Sequence, residues 1–156
     1  MAHIGYWIRG AVCALSVLAA SPASASDESD IRAVVDKWIA DFNGDDLEAF
    51  VGACAANAPV VDGFPPYAWA NCADWMRDYQ ANNSVIGATH GDLAIGDPIY
   101  SEVKADRAYV IYPATFTDTQ ETTSVVYRGS WTITFHKSDD RWLITGSASA
   151  WTENTL

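Results

Sequence analysis

Apolar residues recur at every third or fourth position from Asp30 onward, which is the spacing of one face of a helix. The apolar positions are Ile31, Val34, Val35, Trp38, Ile39 and Phe42. Asp27 or Ser29 can cap the start, and Asn43-Gly44 supplies a stop. The pattern therefore predicts a first helix that begins at Asp30 and ends at Asn43.

Two shorter helices and one short strand follow. Asp45 offers an N-cap to a second helix, whose apolar positions are Leu47, Phe50 and Val51. A third helix is predicted from Cys72 to Asn82, with Trp75, Met76 and Tyr79 at helical spacing and Asn82-Asn83 at its end. Between these helices, Val60-Val61 is typical of a short buried strand.

The period changes to two from Val85 onward, and β-branched and aromatic residues dominate there. Strands are predicted over residues 88–95, 99–104, 107–117, 123–136 and 141–151. Turn signals separate them at residues 96–98, 105–106, 118–121 and 138–140. Helices followed by antiparallel strands predict an α+β fold in which the sheet curls around the apolar face of the helices.

The first 25 residues have the features of a secretory signal. Arg9 is their only charged side chain, residues 10–20 are apolar, and Ala23-Ser24-Ala25 fits a small-x-small cleavage site. The apolar run is shorter than the roughly 20 residues that a membrane span needs. We therefore expect a signal peptide over 1–25, a single domain over 26–156, a secreted or periplasmic location, and no membrane contact after cleavage.

Charge and cysteine content narrow the possible partners. Cleavage would remove one cation and no acid, which changes the formal net charge from −11 to −12 and argues against nucleic acid as a partner. Cys54 and Cys72 remain, 18 positions apart, and either form a disulfide in an oxidising compartment or stay buried as free thiols. No second cysteine pair or histidine cluster accompanies them, so neither a metal site nor a cofactor is expected.

Asp62 is the first candidate for chemistry. It follows the predicted strand where Gly63 and Pro65-Pro66 interrupt regular structure, and three aromatic residues come next, Phe64, Tyr67 and Trp69. A carboxyl group near aromatic rings loses hydration, which favours its protonated form and can poise a base. On this interpretation Asp62→Asn should stabilise the protein at neutral pH. The alternative is that Asp62 caps the turn by accepting backbone N–H hydrogen bonds.

Two stretches carry a family resemblance: WIADFNGDDLEAF, which begins at Trp38, and the segment from Arg141-Trp142-Leu143-Ile144 through Trp151. With the order of elements, they resemble the nuclear transport factor 2-like superfamily, which includes SnoaL-like cyclases and steroid delta-isomerases. The resemblance covers about residues 27–152. It implies a cone-shaped, curved antiparallel sheet wrapped around the N-terminal helices, an apolar pocket at the open end, and a homodimer through the exposed sheet face.

The resemblance to a steroid isomerase also implies roles for single residues. From Trp38 to Tyr79 the two sequences can be laid together without gaps, and Asp62, within APVVDGF, then falls on the family's proton-shuttling aspartate. Tyr79 falls on a tyrosine of the oxyanion hydrogen-bond network, with packing as its alternative. Trp38, Cys54 and Trp131 stand where the family has oxyanion-binding or network residues. By this resemblance, the chain has the family's catalytic base and lacks its oxyanion donors.

The remaining candidates are one histidine and a set of aromatic residues. His90 is a catalytic candidate because related dehydratases use a histidine in the same cone, and a structural role is its alternative. The predicted pocket lining comprises Trp38, Phe64, Tyr67, Trp69, Tyr112, Tyr127, Trp131 and Trp151. A shift of one residue in strand register would move Tyr112 and Tyr127 to the other side of the sheet, and the sequence does not fix that register.

The sequence thus predicts an exported α+β cone that binds a small, largely apolar molecule. Asp62 would act as general base in an isomerase- or lyase-type proton transfer. The alternatives are a non-catalytic binding module and a dimeric interaction scaffold. A cavity with Asp62 in its wall would favour an enzyme or binder, and a cone filled by its own tryptophans would favour a scaffold.

Overall fold

The computed structural model describes residues 23–88, 91–120 and 123–155. The helices are α1 (Ala23–Asn43), α2 (Leu47–Gly52) and α3 (Cys72–Ile86). The strands are β1 (Val60–Val61), β2 (Ala68–Trp69), β3 (Asp92–Ile95), β4 (Tyr100–Lys104), β5 (Arg107–Gln120), β6 (Thr123–Ser138) and β7 (Arg141–Thr155). Most of the expected signal segment, residues 1–22, lies outside the described residues.

The predicted start of α1 is wrong, whereas its predicted end is confirmed. The helix begins seven positions before Asp30, at Ala23, because neither Gly nor Pro interrupts the chain between Ala23 and Asn43. The Lys137 ammonium, at the end of β6, lies 2.7 Å from Asp27 Oδ1 and holds this first part of the helix against the sheet. The amide of Gly44 donates to the Ala40 carbonyl at 2.9 Å, where the helix ends.

The caps of the two shorter helices also differ from the prediction. The N-cap of α2 is Asp46, whose Oδ1 accepts from the Ala49 amide at 3.1 Å, while Asp45 has a φ of 60°. Helix α3 continues to Ile86 and ends at Gly87, which has a φ of 66°. Glycine adopts this left-handed conformation without steric strain, so it ends the helix where Asn82-Asn83 does not.

The predicted α+β plan is confirmed, with a curved, unclosed sheet of 7 strands in the order β2-β1-β7-β6-β5-β3, in which β4 also pairs with β5. One pairing departs from a purely antiparallel sheet, because β1 runs parallel to β7, with Val60 opposite Ser147. Strand β2 was not predicted and pairs with β1. The turn predicted at 118–121 is also wrong, because β5 continues to Gln120 and includes Asp118.

The inner faces of the strands and the apolar faces of the helices share one core. At its centre the Trp38 and Phe50 rings stack with their centroids 4.6 Å apart. Cys54 and Cys72 form a disulfide with Cα atoms 6.5 Å apart, which joins the chain after α2 to the start of α3. Among the described residues, no helix has the length and apolar content that a membrane span requires.

Candidate functional site

A cavity of about 280 Å³ lies between the helices and the inner face of the sheet, and most of its wall is aromatic. The helical side and the loop after β1 contribute Phe42, Phe64, Trp75 and Tyr79. The sheet contributes Phe116, Tyr127, Trp131 and Trp151. Polar groups in the wall come from Asp62, Asn82, Asn83 and Asp118. An apolar cavity with a few polar groups is the usual form of a small-molecule site.

The carboxylate of Asp62 accepts four hydrogen bonds. Its Oδ1 accepts from the Gly63 amide at 2.7 Å, from Trp151 Nε1 at 3.0 Å and from the Ser149 hydroxyl. Its Oδ2 accepts from Trp75 Nε1 at 3.0 Å. The parallel pairing of β1 with β7 explains the arrangement, because it places Val61 opposite Ala148 and so brings Asp62 beside Ser149.

These contacts are those of an ionised carboxylate. An indole or backbone N–H can only donate, and both carboxylate oxygens accept from such a group. A carboxylate has about four lone-pair positions, so Oδ1 is saturated while Oδ2 can accept one more hydrogen bond.

The prediction that Phe64, Tyr67 and Trp69 surround Asp62 is therefore partly wrong. Tyr67 is 57% exposed, and the Trp69 indole donates instead to Asp78 Oδ2 at 2.9 Å. Only Phe64 among the three predicted rings lines the cavity. The turn-capping alternative is partly realised, since one of the four donors is the adjacent backbone amide of Gly63.

Tyr79 lies at the polar side of the cavity. Its ring stacks on Trp75 with centroids 5.3 Å apart, and its hydroxyl accepts from the Gly91 amide at 3.4 Å. Burial raises the pKa of Tyr79, and a hydrogen bond from the Asn83 side chain opposes the rise. The phenol therefore keeps its proton at neutral pH and can serve as a hydrogen-bond donor.

Trp131 lines the same cavity, but its indole N–H is buried away from the cavity space. The residue is 4% exposed, and its Nε1 has no hydrogen-bond partner among the described residues. A buried N–H without an acceptor is unfavourable by about 1–3 kcal/mol.

No protein-family model matches the sequence, and no curated protein matches it. In structure, the chain is similar to a scytalone dehydratase-like protein of Novosphingobium aromaticivorans, with a TM-score of 0.72, 11% identity, and coverage of 84% of this chain and 87% of that one. It is also similar to a type 2 hexachlorocyclohexane dehydrochlorinase, with a TM-score of 0.71, 12% identity, and coverage of 84% and 88%. A third similar structure is an NTF-2-like protein of Shewanella oneidensis, with a TM-score of 0.61, 17% identity, and coverage of 79% and 98%.

The fold is that of the nuclear transport factor 2-like superfamily. Within this fold, the structure brings six of the predicted site residues into one cavity wall: Asp62, Phe64, Tyr79, Tyr127, Trp131 and Trp151. The resemblance that suggested the superfamily is confirmed at the level of the fold.

Four predicted pocket residues lie elsewhere in this nuclear transport factor 2-like fold. Trp38 is buried in the core, and its indole donates to the Phe50 carbonyl at 3.1 Å, so it cannot serve a ligand. Tyr112 is 2% exposed and packs near the Arg32 guanidinium, while Tyr67 and Trp69 lie outside the wall as described above. His90 lies outside the described residues.

The sequence interpretation missed several wall residues, of which Trp75 and Asp118 matter most. Trp75 precedes Tyr79 by four positions, and this spacing places both on the same helix face. Asp118 continues the period-two alternation that includes Tyr112 and Phe116, and it is 5% exposed. The polar run from 118 to 121 favoured a turn and concealed that signal. Phe42, Phe116, Asn82 and Asn83 were also missed.

Within the ranges that the structure describes, no three His, Cys, Asp or Glu side chains come together in a way that could hold a metal ion. The groups of the wall suited to chemistry are thus carboxylates, phenols, amides and indole N–H groups.

Proposed function

We propose that this exported protein binds a small, largely apolar molecule in the aromatic cavity, and that Asp62 acts there as general base in an isomerase- or lyase-type proton transfer. The observation that carries the proposal is an ionised carboxylate in the wall of an apolar cavity. A cavity with Asp62 in its wall also favours an enzyme or binder over a scaffold.

The hydrogen-bond pattern suggests which oxygen acts. Because Oδ1 already accepts three hydrogen bonds, Oδ2 is the oxygen that accepts the proton of a ligand C–H group. The electron pair of that C–H bond forms a C=C double bond. In a lyase reaction a leaving group on the neighbouring carbon departs with its bonding pair. In an isomerase reaction the neighbouring carbon is a carbonyl carbon whose π pair moves onto oxygen, and the C=O bond forms again when the proton is delivered to a different carbon.

The Tyr79 hydroxyl lies in the same cavity wall, and it keeps its proton at neutral pH because burial raises the pKa of Tyr79. A donor aimed at an oxygen that gains negative charge stabilises the transition state.

The names of two similar structures support an elimination. One is a scytalone dehydratase-like protein and the other is a hexachlorocyclohexane dehydrochlorinase. Both names describe reactions that remove a small molecule from an organic substrate, and such eliminations need a base. At 11% and 12% identity, the similarity supports the class of reaction and no particular substrate.

The base can be tested with 2-tetralone, an apolar ketone whose α-hydrogens exchange with D₂O. NMR would follow the exchange with wild type and Asp62→Asn, and tryptophan fluorescence would measure binding. We expect wild type to accelerate exchange and Asp62→Asn to lose about 100-fold of that acceleration while still binding the ketone. Asp97→Asn is the matched control, because the Asp97 side chain is fully exposed. Equal exchange by wild type and Asp62→Asn, with both binding the ketone, would rule out the base.

A non-catalytic binding module is the second candidate, and the four hydrogen bonds to Asp62 favour it. They fasten the loop after β1 to β7 and α3, a structural role that requires no chemistry. Mass spectrometry of material that co-purifies with the mature protein would identify its ligand. A ligand without an exchangeable C–H group would favour the module.

A further inference from the structure

Aromatic residues make up just over half of the cavity wall. Eight of its fifteen residues are aromatic. The rings of Phe116, Tyr127 and Trp151 form a triangle with centroids 6.1–6.4 Å apart, and Trp131 lies 6.3 Å from Trp151. The face of each ring carries negative electrostatic potential, and enclosures of such rings recognise quaternary ammonium groups.

Two acidic residues lie in the wall beside these rings. Both oxygens of Asp62 accept from donor-only groups, so this carboxylate is negative, and Asp118 adds a second acid. Among the wall residues that the structure describes, none is Lys, Arg or His. Electrostatic interactions are stronger in the low dielectric of a protein interior than in water.

From the rings and the carboxylate together we infer that the ligand of this cavity is an organic cation, a quaternary or tertiary ammonium ion with apolar substituents. This inference rests on the proposed function, in which the cavity binds a small molecule, and it specifies the class of that molecule. The apolar substituents pack against the rings, and the cationic nitrogen lies over ring faces near the carboxylate of Asp62.

The net charge of the chain also favours a cationic ligand. The formal net charge of −11 attracts such cations to the protein.

A matched pair of probes tests the charge alone. N,N,N-trimethylanilinium and tert-butylbenzene have the same shape and differ by a positive nitrogen in place of a carbon. Fluorescence titration can report both, because Trp75, Trp131 and Trp151 line the cavity. We expect the cation to bind about tenfold more tightly than tert-butylbenzene.

One variant removes a ring and keeps an apolar side chain. Phe116→Leu should weaken binding of the cation about threefold and change binding of tert-butylbenzene less than twofold. Tyr109→Leu is the control, because Tyr109 is 39% exposed and lies outside the cavity wall. It should change neither affinity.

The outcomes separate this inference from the proposed function. If tert-butylbenzene binds as tightly as the cation or more tightly, the inference is overturned and a cavity for neutral apolar molecules stands. If neither probe binds to wild type, both the inference and the proposed binding function are overturned.

Discussion

Replacing Asp62 by Asn keeps the size of the side chain but puts an NH₂ group where a carboxylate oxygen now accepts a hydrogen bond. Oδ1 has three donors and Oδ2 has one, so the amide oxygen would take the Oδ1 position and the NH₂ group would face Trp75 Nε1. Two donors would then meet at the 3.0 Å now spanned by the Trp75 hydrogen bond.

The expected loss follows from that contact. Trp75 is 3% exposed, and a buried donor that loses its acceptor costs about 1–3 kcal/mol. The three bonds at the other oxygen persist but lose their charged acceptor. We therefore expect Asp62→Asn to lower the free energy of unfolding by about 2 kcal/mol at neutral pH. The local sequence predicted the opposite, namely that the neutral side chain would be stabilising.

Urea denaturation of a double-mutant cycle tests the cause. In Trp75→Phe the indole N–H is absent, so adding Asp62→Asn to that background should cost about 1 kcal/mol less than in wild type. Asp97→Asn controls for the loss of one negative charge at an exposed position. A stability of Asp62→Asn equal to or above that of wild type, or a cycle without coupling, would refute the hydrogen-bond argument.

Four further predictions concern the rest of the chain. Replacing Cys54 and Cys72 by Ala should lower the free energy of unfolding by about 3 kcal/mol, measured by urea denaturation, because the disulfide closes a loop in the unfolded chain. A hydrogen bond from Trp69 lowers the pKa of Asp78 from its ordinary value of 3.8. This hydrogen bond to the ionised carboxylate therefore stabilises the fold above pH 3.8, and the stabilisation is lost as the pH falls through the lowered pKa. The stability difference between wild type and Trp69→Phe should therefore shrink in acid titrations. N-terminal sequencing of the exported protein should begin at Ser26. Light scattering should show a homodimer, which we propose forms through the outer face of β5 and β6 and buries more than about 1,000 Å².

Each of these four predictions has a result that contradicts it. Two thiols labelled in unreduced, denatured protein would exclude the disulfide. A stability difference at Trp69 that is constant with pH would exclude its link to Asp78. An exported chain that starts at Met1 would exclude cleavage, and a monomer at micromolar concentration would exclude the dimer.

Local sequence signals sufficed for the presence of the three helices and the long strands and for their order, but not for every end. Residues such as Asn43-Gly44 act through backbone conformation, and the apolar spacing from Ile31 to Phe42 defines a helix face without reference to the rest of the chain. For the same reason, Asp62 could be placed at a corner after a strand. The superfamily resemblance also followed from the sequence, because it depends on two short stretches and on the order of the elements.

The chemistry of the site depended on contacts between distant residues. The side-chain donors to Asp62 lie 13, 87 and 89 positions away, and the parallel pairing of β1 with β7 brings two of them together. Trp38 was predicted to face the pocket, yet its indole found the Phe50 carbonyl in the core. Spacing along a chain restricts which side chains share a face, but only the packed sheet and helices decide which donor meets which acceptor, because a hydrogen bond requires two groups within about 3 Å.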